Sequence, residues 1–238
     1  MNIKSYPLKR GQWFEEATEK KYVVWHGTAG RTLHTPSSGR PGRMQRPPPV
    51  QPAAHGRRST AGTSTPSASA RRICVRRSGA PSASRDGTIY KTFDDTAWIY
   101  HLGIQGTNGR YDKSSVGIEF ANELGLALDG DRLYAFGMNT PNTVYTGPFF
   151  AFDWRDYSYF AQLDEAQVDA GIELTLDICR RHDIEPSFYY PSTTFDFPRC
   201  FQVATIVCHS NCRRDKTDLA LPDWVYERVE GAGIRLVS

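Results

Sequence analysis

Two histidines in this chain follow short, β-branched, apolar runs and lead into a tight turn or a polar loop: His26 in YVVWHGTAG and His209 in IVCHSNCRRDKTD. Cys212, Lys216 and Asp218 come next after His209 in the same polar, basic loop. A neutral imidazole and a carboxylate are both good zinc ligands, and a loop returning from a rigid strand can place them around one ion. Ile206 to Asp218 therefore reads as half of a metal site, and His26 is the candidate for the missing ligand. Cys212 competes with Asp218 as third ligand, because thiolate also suits zinc, although it stands close behind His209 in sequence. Asp218 could instead cap the following turn. Glu119, in SSVGIEFAN, is a carboxylate among apolar neighbours, where it must be satisfied or used. Its residues alone leave it structural or catalytic.

These groups need strands and turns to hold them. Tyr22 to Trp25 read as a short strand, and the Gly27-Thr28-Ala29-Gly30 turn is expected to leave His26 exposed at its end. A short helix over Gly11 to Glu19 would precede it. Asp86-Gly87 is a hairpin turn signal, Thr88 to Phe93 alternates as a half-buried strand, and Val116 to Phe120 reads as a buried central strand. Asp129 to Asp153 is aromatic and turn-rich, which suggests a hairpin or a surface excursion. Val168, Ile172, Leu176 and Cys179 recur on one face of a helix from Asp164 to His182, with Arg180, Arg181 and His182 favourable against the dipole in its last turn. Pro186 stops that helix, and Phe188 to Phe201 reads as a Pro-broken aromatic loop. Ala204 to Val207 form the strand that carries His209, and Cys208 points into the core if that strand alternates. Pro222 opens a last helix with Trp224, Val225 and Val229, closed by Gly231 and Gly233.

The 238 residues suffice for one medium domain, or one domain with an insertion, and for a real core. The net charge of +3 is unevenly distributed: Ser37 to Ser84 holds nine arginines with no lysine and no acid, so the rest of the chain is negative. Arg, Ser, Pro, Ala and Gly make up 37 of those 48 residues, with no aromatic among them. Such a segment cannot bury enough apolar surface to offset its chain entropy, so disorder is the default reading. An abrupt switch into this composition, and back at Arg85, is also what a stretch between two compensating frameshifts would produce. A basic arm for nucleic acid is disfavoured by the missing aromatic interleaving. His34 and His55 fall at or inside this stretch and receive no role, while His182 reads as a helix-end cation. The five cysteines have no disulfide-scaffold spacing and read as reduced thiols. MNIKSYPLKRGQW lacks the apolar core of a signal peptide, and no apolar run is long enough to span a bilayer, so a protein made in the cytoplasm is expected.

In order, YVVWHGTAG, RDGTIYKTF, AWIYHLG, SSVGIEFAN, AQVDAGIELTLDICRRHDI and CHSNCRRDKTD resemble the zinc N-acetylmuramoyl-L-alanine amidases with the peptidoglycan-recognition fold, especially bacteriophage endolysins. The resemblance implies an α/β (α+β) fold, a central mixed β-sheet flanked by helices. The single amidase domain would comprise residues 1–36 and 85–238, with 37–84 as a low-complexity insert. It further implies Zn2+ as cofactor, His26, His209 and Asp218 as its ligands, Glu119 as the catalytic glutamate and Lys216 beside the third ligand. His101 and Thr28 would line the substrate side, His101 without binding metal. The metal loop departs from the family, with Cys212 and two arginines where acidic, Pro- and Gly-containing sequence is usual, and Leu219-Ala220 after Asp218 where Pro-Gly is usual. The partner implied is peptidoglycan, cut between the lactyl group of N-acetylmuramic acid and L-alanine by a chain expected to be a monomer. It would reach the wall through a holin-type membrane pore or act in cytoplasmic recycling. The alternatives are a non-catalytic peptidoglycan-binding module and an Arg-rich nucleic-acid-binding protein. In the family, the sequence between HGTAG and RDG supplies a helix and a sheet strand, which the arginine-rich tract is not expected to provide.

Overall fold

A computed structural model describes residues 1–9, 11–29, 82–135 and 144–238. Most of the arginine-rich tract, His34, His55, Cys74 and the end of the Gly27 turn lie outside the described residues. In chain order the elements are β1 (Asn2–Ser5), β2 (Tyr22–Ala29), β3 (Ser82–Ala83), β4 (Thr88–Lys91), α1 (Arg110–Lys113), β5 (Ser115–Asn122), β6 (Gly125–Asp129), β7 (Arg132–Ala135), β8 (Val144–Tyr145), β9 (Phe149–Trp154) and β10 (Tyr157–Ala161). There follow α2 (Glu165–Arg181), β11 (Ser187–Tyr189), α3 (Cys200–Val203), β12 (Ile206–Cys208), α4 (His209–Cys212), α5 (Asp223–Gly231) and β13 (Arg235–Val237).

Eight strands form one mixed sheet in the order β1-β4-β3-β5-β2-β12-β11-β13. Only the β3–β4 pairing is antiparallel within it. The centre is built from β-branched and aromatic residues buried on both faces, as parallel strands require. Val23, Trp25, Val116, Ile118, Phe120, Ile206 and Cys208 turn to the face covered by α2 and α5, and Val24 and Val207 to the other, against Leu102, Phe201 and Cys212. Alternation therefore puts His26, Ser115 and Glu119 on the same face as Val24. Cys208 is core, as the alternation predicts.

Helix α2 seats on the sheet through more than its apolar stripe. Thr175 accepts a hydrogen bond from Trp25 Nε1 at 2.9 Å, and Gln167 Nε2 donates to the carbonyls of Ala83 and Ala121 at 2.8 and 3.1 Å. Gly171 lets the Phe120 ring lie against the helix backbone, and a Cβ there would strike the ring.

Several sequence expectations change. Residues 11–20 form no helix; Phe14 bridges to Trp98 and stacks on its ring at 4.0 Å, while Trp13 stacks on Phe93. Aromatic pairing to a distant segment outweighs the modest helix propensity of that stretch. His26 is not exposed at a strand end. The strand continues to Ala29, because β5 pairs with all eight of its residues, and His26 is 2 % exposed. The described residues between 125 and 161 build a five-stranded antiparallel sheet, β8-β7-β6-β10-β9, where the sequence suggests a hairpin or a surface excursion over Asp129 to Asp153. The aromatic loop begins as strand β11, sandwiched between β12 and β13. Ser82 and Ala83, inside the low-complexity boundary, are a sheet strand, with Ala83 fully buried between β4 and β5. Composition alone does not register a two-residue strand whose small side chain fits a crowded layer.

Candidate metal centre

β2 delivers His26, β12 hands His209 to the first turn of α4, and the loop after α4 returns Asp218 between them. All three are buried. His26 Nδ1 lies 3.1 Å from His209 Nδ1 and 3.6 Å from Asp218 Oδ2, and His209 Nδ1 lies 3.1 Å from the same oxygen. A tetrahedral zinc with bonds of about 2.0–2.1 Å separates its ligand atoms by about 3.3–3.4 Å, so this triangle has the dimensions of one tetrahedral face. Among the described residues these three form the metal-capable cluster.

Hydrogen-bond polarity makes the same point. His209 Nε2 is 3.0 Å from the Leu102 carbonyl, which only accepts, so that nitrogen carries a proton and, in the neutral ring, Nδ1 is a lone pair. It faces a carboxylate oxygen at hydrogen-bond distance, two acceptors with no donor of their own between them. Positive charge is required there, as a metal ion or as a second proton that makes an imidazolium of His209 or His26. The electrostatics agree. Burial opposes charge on His26, but the hydrogen bond to Asp218 and the charges of Glu119 and Asp218 raise its pKa. Burial and the neighbouring His26 lower that of His209. Burial alone would raise the Asp218 carboxyl, yet the hydrogen bonds and positive charge that His209 and His26 supply when protonated hold it well below the usual carboxylate range. The carboxylate is thus an anion waiting for positive charge.

Gly27 explains the glycine of HGTAG. A Cβ there would collide with Leu124, come within 2.8 Å of Leu219 and stand 3.4 Å from Asp218 Cβ, and its N–H donates to Asp218 Oδ2 at 3.4 Å. Its missing side chain leaves room for the Leu124 and Leu219 side chains beside Asp218.

Glu119 is the cross-strand partner of His26 in the β2–β5 register and is buried on the same face. Its charge and that of Lys216 both act on His26, in opposite senses. Thr28 is partly buried and tied to the Phe120 carbonyl at 3.3 Å. Cys212 does not join the cluster. Its thiol packs with Cys200 and Val207 in the second core, and burial pushes its pKa well above the ordinary thiol value, so it is held as a neutral thiol.

Sequence reading missed the groups that hold the ligands. Asn211 Nδ2 donates to the carbonyls of Pro191, Ser192 and Thr194, and its Oδ1 accepts from the Cys208 N–H at 2.8 Å, which fixes the turn that presents His209. Asp112 Oδ1 accepts from the N–H groups of His101 and Leu102 at 2.7 and 2.8 Å. Arg155, at the β9–β10 tip, reaches the Arg213 carbonyl at 3.5 Å and feels the charge of Asp218. Asn211 lies inside the HSN motif, where its proximity to His209 was a usable signal. Asp112 and Arg155 are distant in sequence and bind backbone atoms, which leaves no residue pattern.

Comparison with known proteins was informative at the family level. Residues 16–220 match the Amidase_2 family model, described as N-acetylmuramoyl-L-alanine amidase, a span that contains the whole cluster. A sequence search of curated proteins finds no match. Among solved structures, N-acetylmuramoyl-L-alanine amidase LysC from Clostridium intestinale URNW is similar with 11% identity and a TM-score of 0.45, covering 99% of each chain. The endolysine N-acetylmuramoyl-L-alanine amidase LysCS from the same organism is similar with 12% identity and a TM-score of 0.44, covering 98% of this chain and 97% of that one.

Proposed function

This chain belongs to the N-acetylmuramoyl-L-alanine amidase family, and from that premise we propose that it hydrolyses the amide bond joining N-acetylmuramic acid to L-alanine in peptidoglycan, using zinc held by His26, His209 and Asp218. The observation that carries the zinc reading is the pair of facing acceptors, His209 Nδ1 and Asp218 Oδ2, with His26 Nδ1 completing a triangle of ligand dimensions. Two imidazoles and a carboxylate suit zinc, and three protein ligands leave a fourth position open, as catalytic zinc sites do. Bound there, zinc would supply a water of pKa about 7 and a Lewis acid for the scissile carbonyl.

The chain's own groups do the rest. Glu119, fixed beside His26 by strand register, takes the proton of the attacking water on its carboxylate and passes it to the nitrogen of the departing L-alanine. Lys216 brings positive charge to the oxygen that becomes negative as the carbonyl carbon turns tetrahedral. Thr28 lies two residues beyond His26 on the same strand face and borders the substrate. Substrate reaches the site after the protein is released to the wall. No helix among the described residues is long and apolar enough to cross a membrane, which is consistent with passage through a separate pore. A complete ligand set favours hydrolysis over a purely binding role.

The test combines metal content with dye release from labelled cell walls, with and without chelator. Wild type should carry zinc and lose activity on chelation. Glu119→Gln should keep its zinc and lose turnover by at least about 100-fold, the usual scale for a general base. Retained activity in that variant would remove Glu119 from the mechanism.

A further inference from the structure

His101 uses both ring nitrogens inside the protein. Its Nδ1 lies 2.9 Å from His26 Nε2, and its Nε2 lies 2.9 Å from Ser115 Oγ. Ser115 Oγ lies 2.6 Å from the Tyr111 carbonyl. That carbonyl can only accept, so the Ser115 hydroxyl donates to it and receives the His101 Nε2–H. His101 Nδ1 is then a lone pair, and the proton between the two histidines belongs to His26 Nε2. The direction set at one backbone oxygen passes through two side chains and leaves the His26 Nδ1 lone pair pointing at His209 and Asp218. Asp112 holds the backbone of His101 and Leu102, and the Leu102 carbonyl fixes His209 in the same sense.

We propose that His101 is a positioning residue that holds His26 in its metal-ready tautomer, and that Ser115 sets the direction of the chain. This rests on the reading of His26, His209 and Asp218 as a metal site. It moves His101 from the substrate side, where sequence resemblance put it, to the outer support of the first ligand, because neither ring nitrogen is left for substrate. Outer hydrogen bonds of this kind raise ligand basicity and restrict ring rotation, so their effect falls on metal affinity before it falls on chemistry.

The experiment measures zinc dissociation constants by competition with a chromophoric chelator for the full-length wild type, His101→Leu, His101→Asn and Ser115→Ala. Melting of the metal-free proteins is measured alongside. Leucine fills the space without an acceptor, whereas asparagine places Oδ1 near where Nδ1 stood. His101→Leu should weaken zinc binding by about 10–100-fold, and His101→Asn should recover most of it. Ser115→Ala should weaken it less, and it carries the test should His101→Leu fail to fold. A role in packing alone predicts lower melting temperatures without a change in affinity that depends on the acceptor. Wild-type affinity in His101→Leu or in Ser115→Ala, or equal losses in the leucine and asparagine variants, would overturn the proposal. A wild type that binds no zinc would instead overturn the reading of the site, and this inference with it.

Discussion

At Lys20 a single ammonium group is buried at 2 % exposure beside the loop that carries His101. It donates to Thr18 Oγ1 at 2.8 Å and to the carbonyls of Ala97 and Lys113 at 2.7 and 2.9 Å. Burial depresses its pKa to about 8, with Asp95 opposing the shift. An unfolded lysine titrates near pH 10.4, so between about pH 8 and 10.4 the unfolded chain binds more protons than the folded one. Stability from this group therefore rises with pH across that window, by no more than about 3 kcal/mol before solvent screening reduces it. Below pH 8 both states are charged and the contribution is flat. Melting curves of wild type and Lys20→Met from pH 7 to 10.5 isolate the term, because the difference between them should grow in favour of wild type above pH 8. A pH-independent difference would contradict the depressed pKa. The same residue shows why motif reading stops where it does. The candidate ligands His26, His209 and Asp218 were legible because their own types advertise metal chemistry, whereas Lys20, Asp112 and Ser115 act through partners that sequence does not pair with them.

Helix α2 and the strands beneath it were legible at the level of elements because their burial follows regular periods. Val168, Ile172 and Cys179 are buried as the helical spacing requires, and Val116 to Phe120 is the core of β5. The contacts that fix the helix against the sheet were not, since glycine, glutamine and threonine carry no hydrophobic signal. Gly171 is the sharpest case. Alanine there should gain about 1 kcal/mol of helix propensity but push its methyl into the Phe120 ring, and overpacking of this kind costs about 1–3 kcal/mol. Because Phe120 is fully buried between Trp25 and the helix, the ring has little room to yield. Gly171→Ala is expected to be destabilised by about 1–2 kcal/mol in urea unfolding, with an unchanged slope. A more stable variant would mean that the helix shifts to admit the methyl. The strands of residues 125–161 escaped recognition for a different reason. Their aromatics alternate weakly, and Phe149 and Phe152 remain 43 % and 40 % exposed, so no buried face shows in the pattern.

On the scale of the whole molecule, the described part of the sheet is thin at β3. β3 pairs with only Glu119 and Phe120 of β5, while Ser115, Val116 and Gly117 border a cavity of about 520 Å³. Ile89, Phe93, Trp98 and Ile178 supply much of its apolar wall. Walls without partner atoms forgo dispersion contacts, and Ser115 and His101 are among the side chains that line this cavity. The arginine-rich sequence runs directly into β3 along the chain, and composition marked that sequence without pointing to this cavity. If that sequence is an out-of-frame reading between Ser37 and Ser84, restoring the frame should supply larger side chains to the gap. Filled apolar space of this kind typically contributes about 0.5–2 kcal/mol. For a chain of this length that corresponds to a rise of about 1–8 °C in melting temperature, and zinc affinity should rise with it if packing supports the Ser115–His101 chain. Soluble yield, melting temperature and zinc affinity, compared between the chain and its frame-restored variant, provide the check. Equal stability and equal affinity would show that the interruption costs the amidase scaffold nothing.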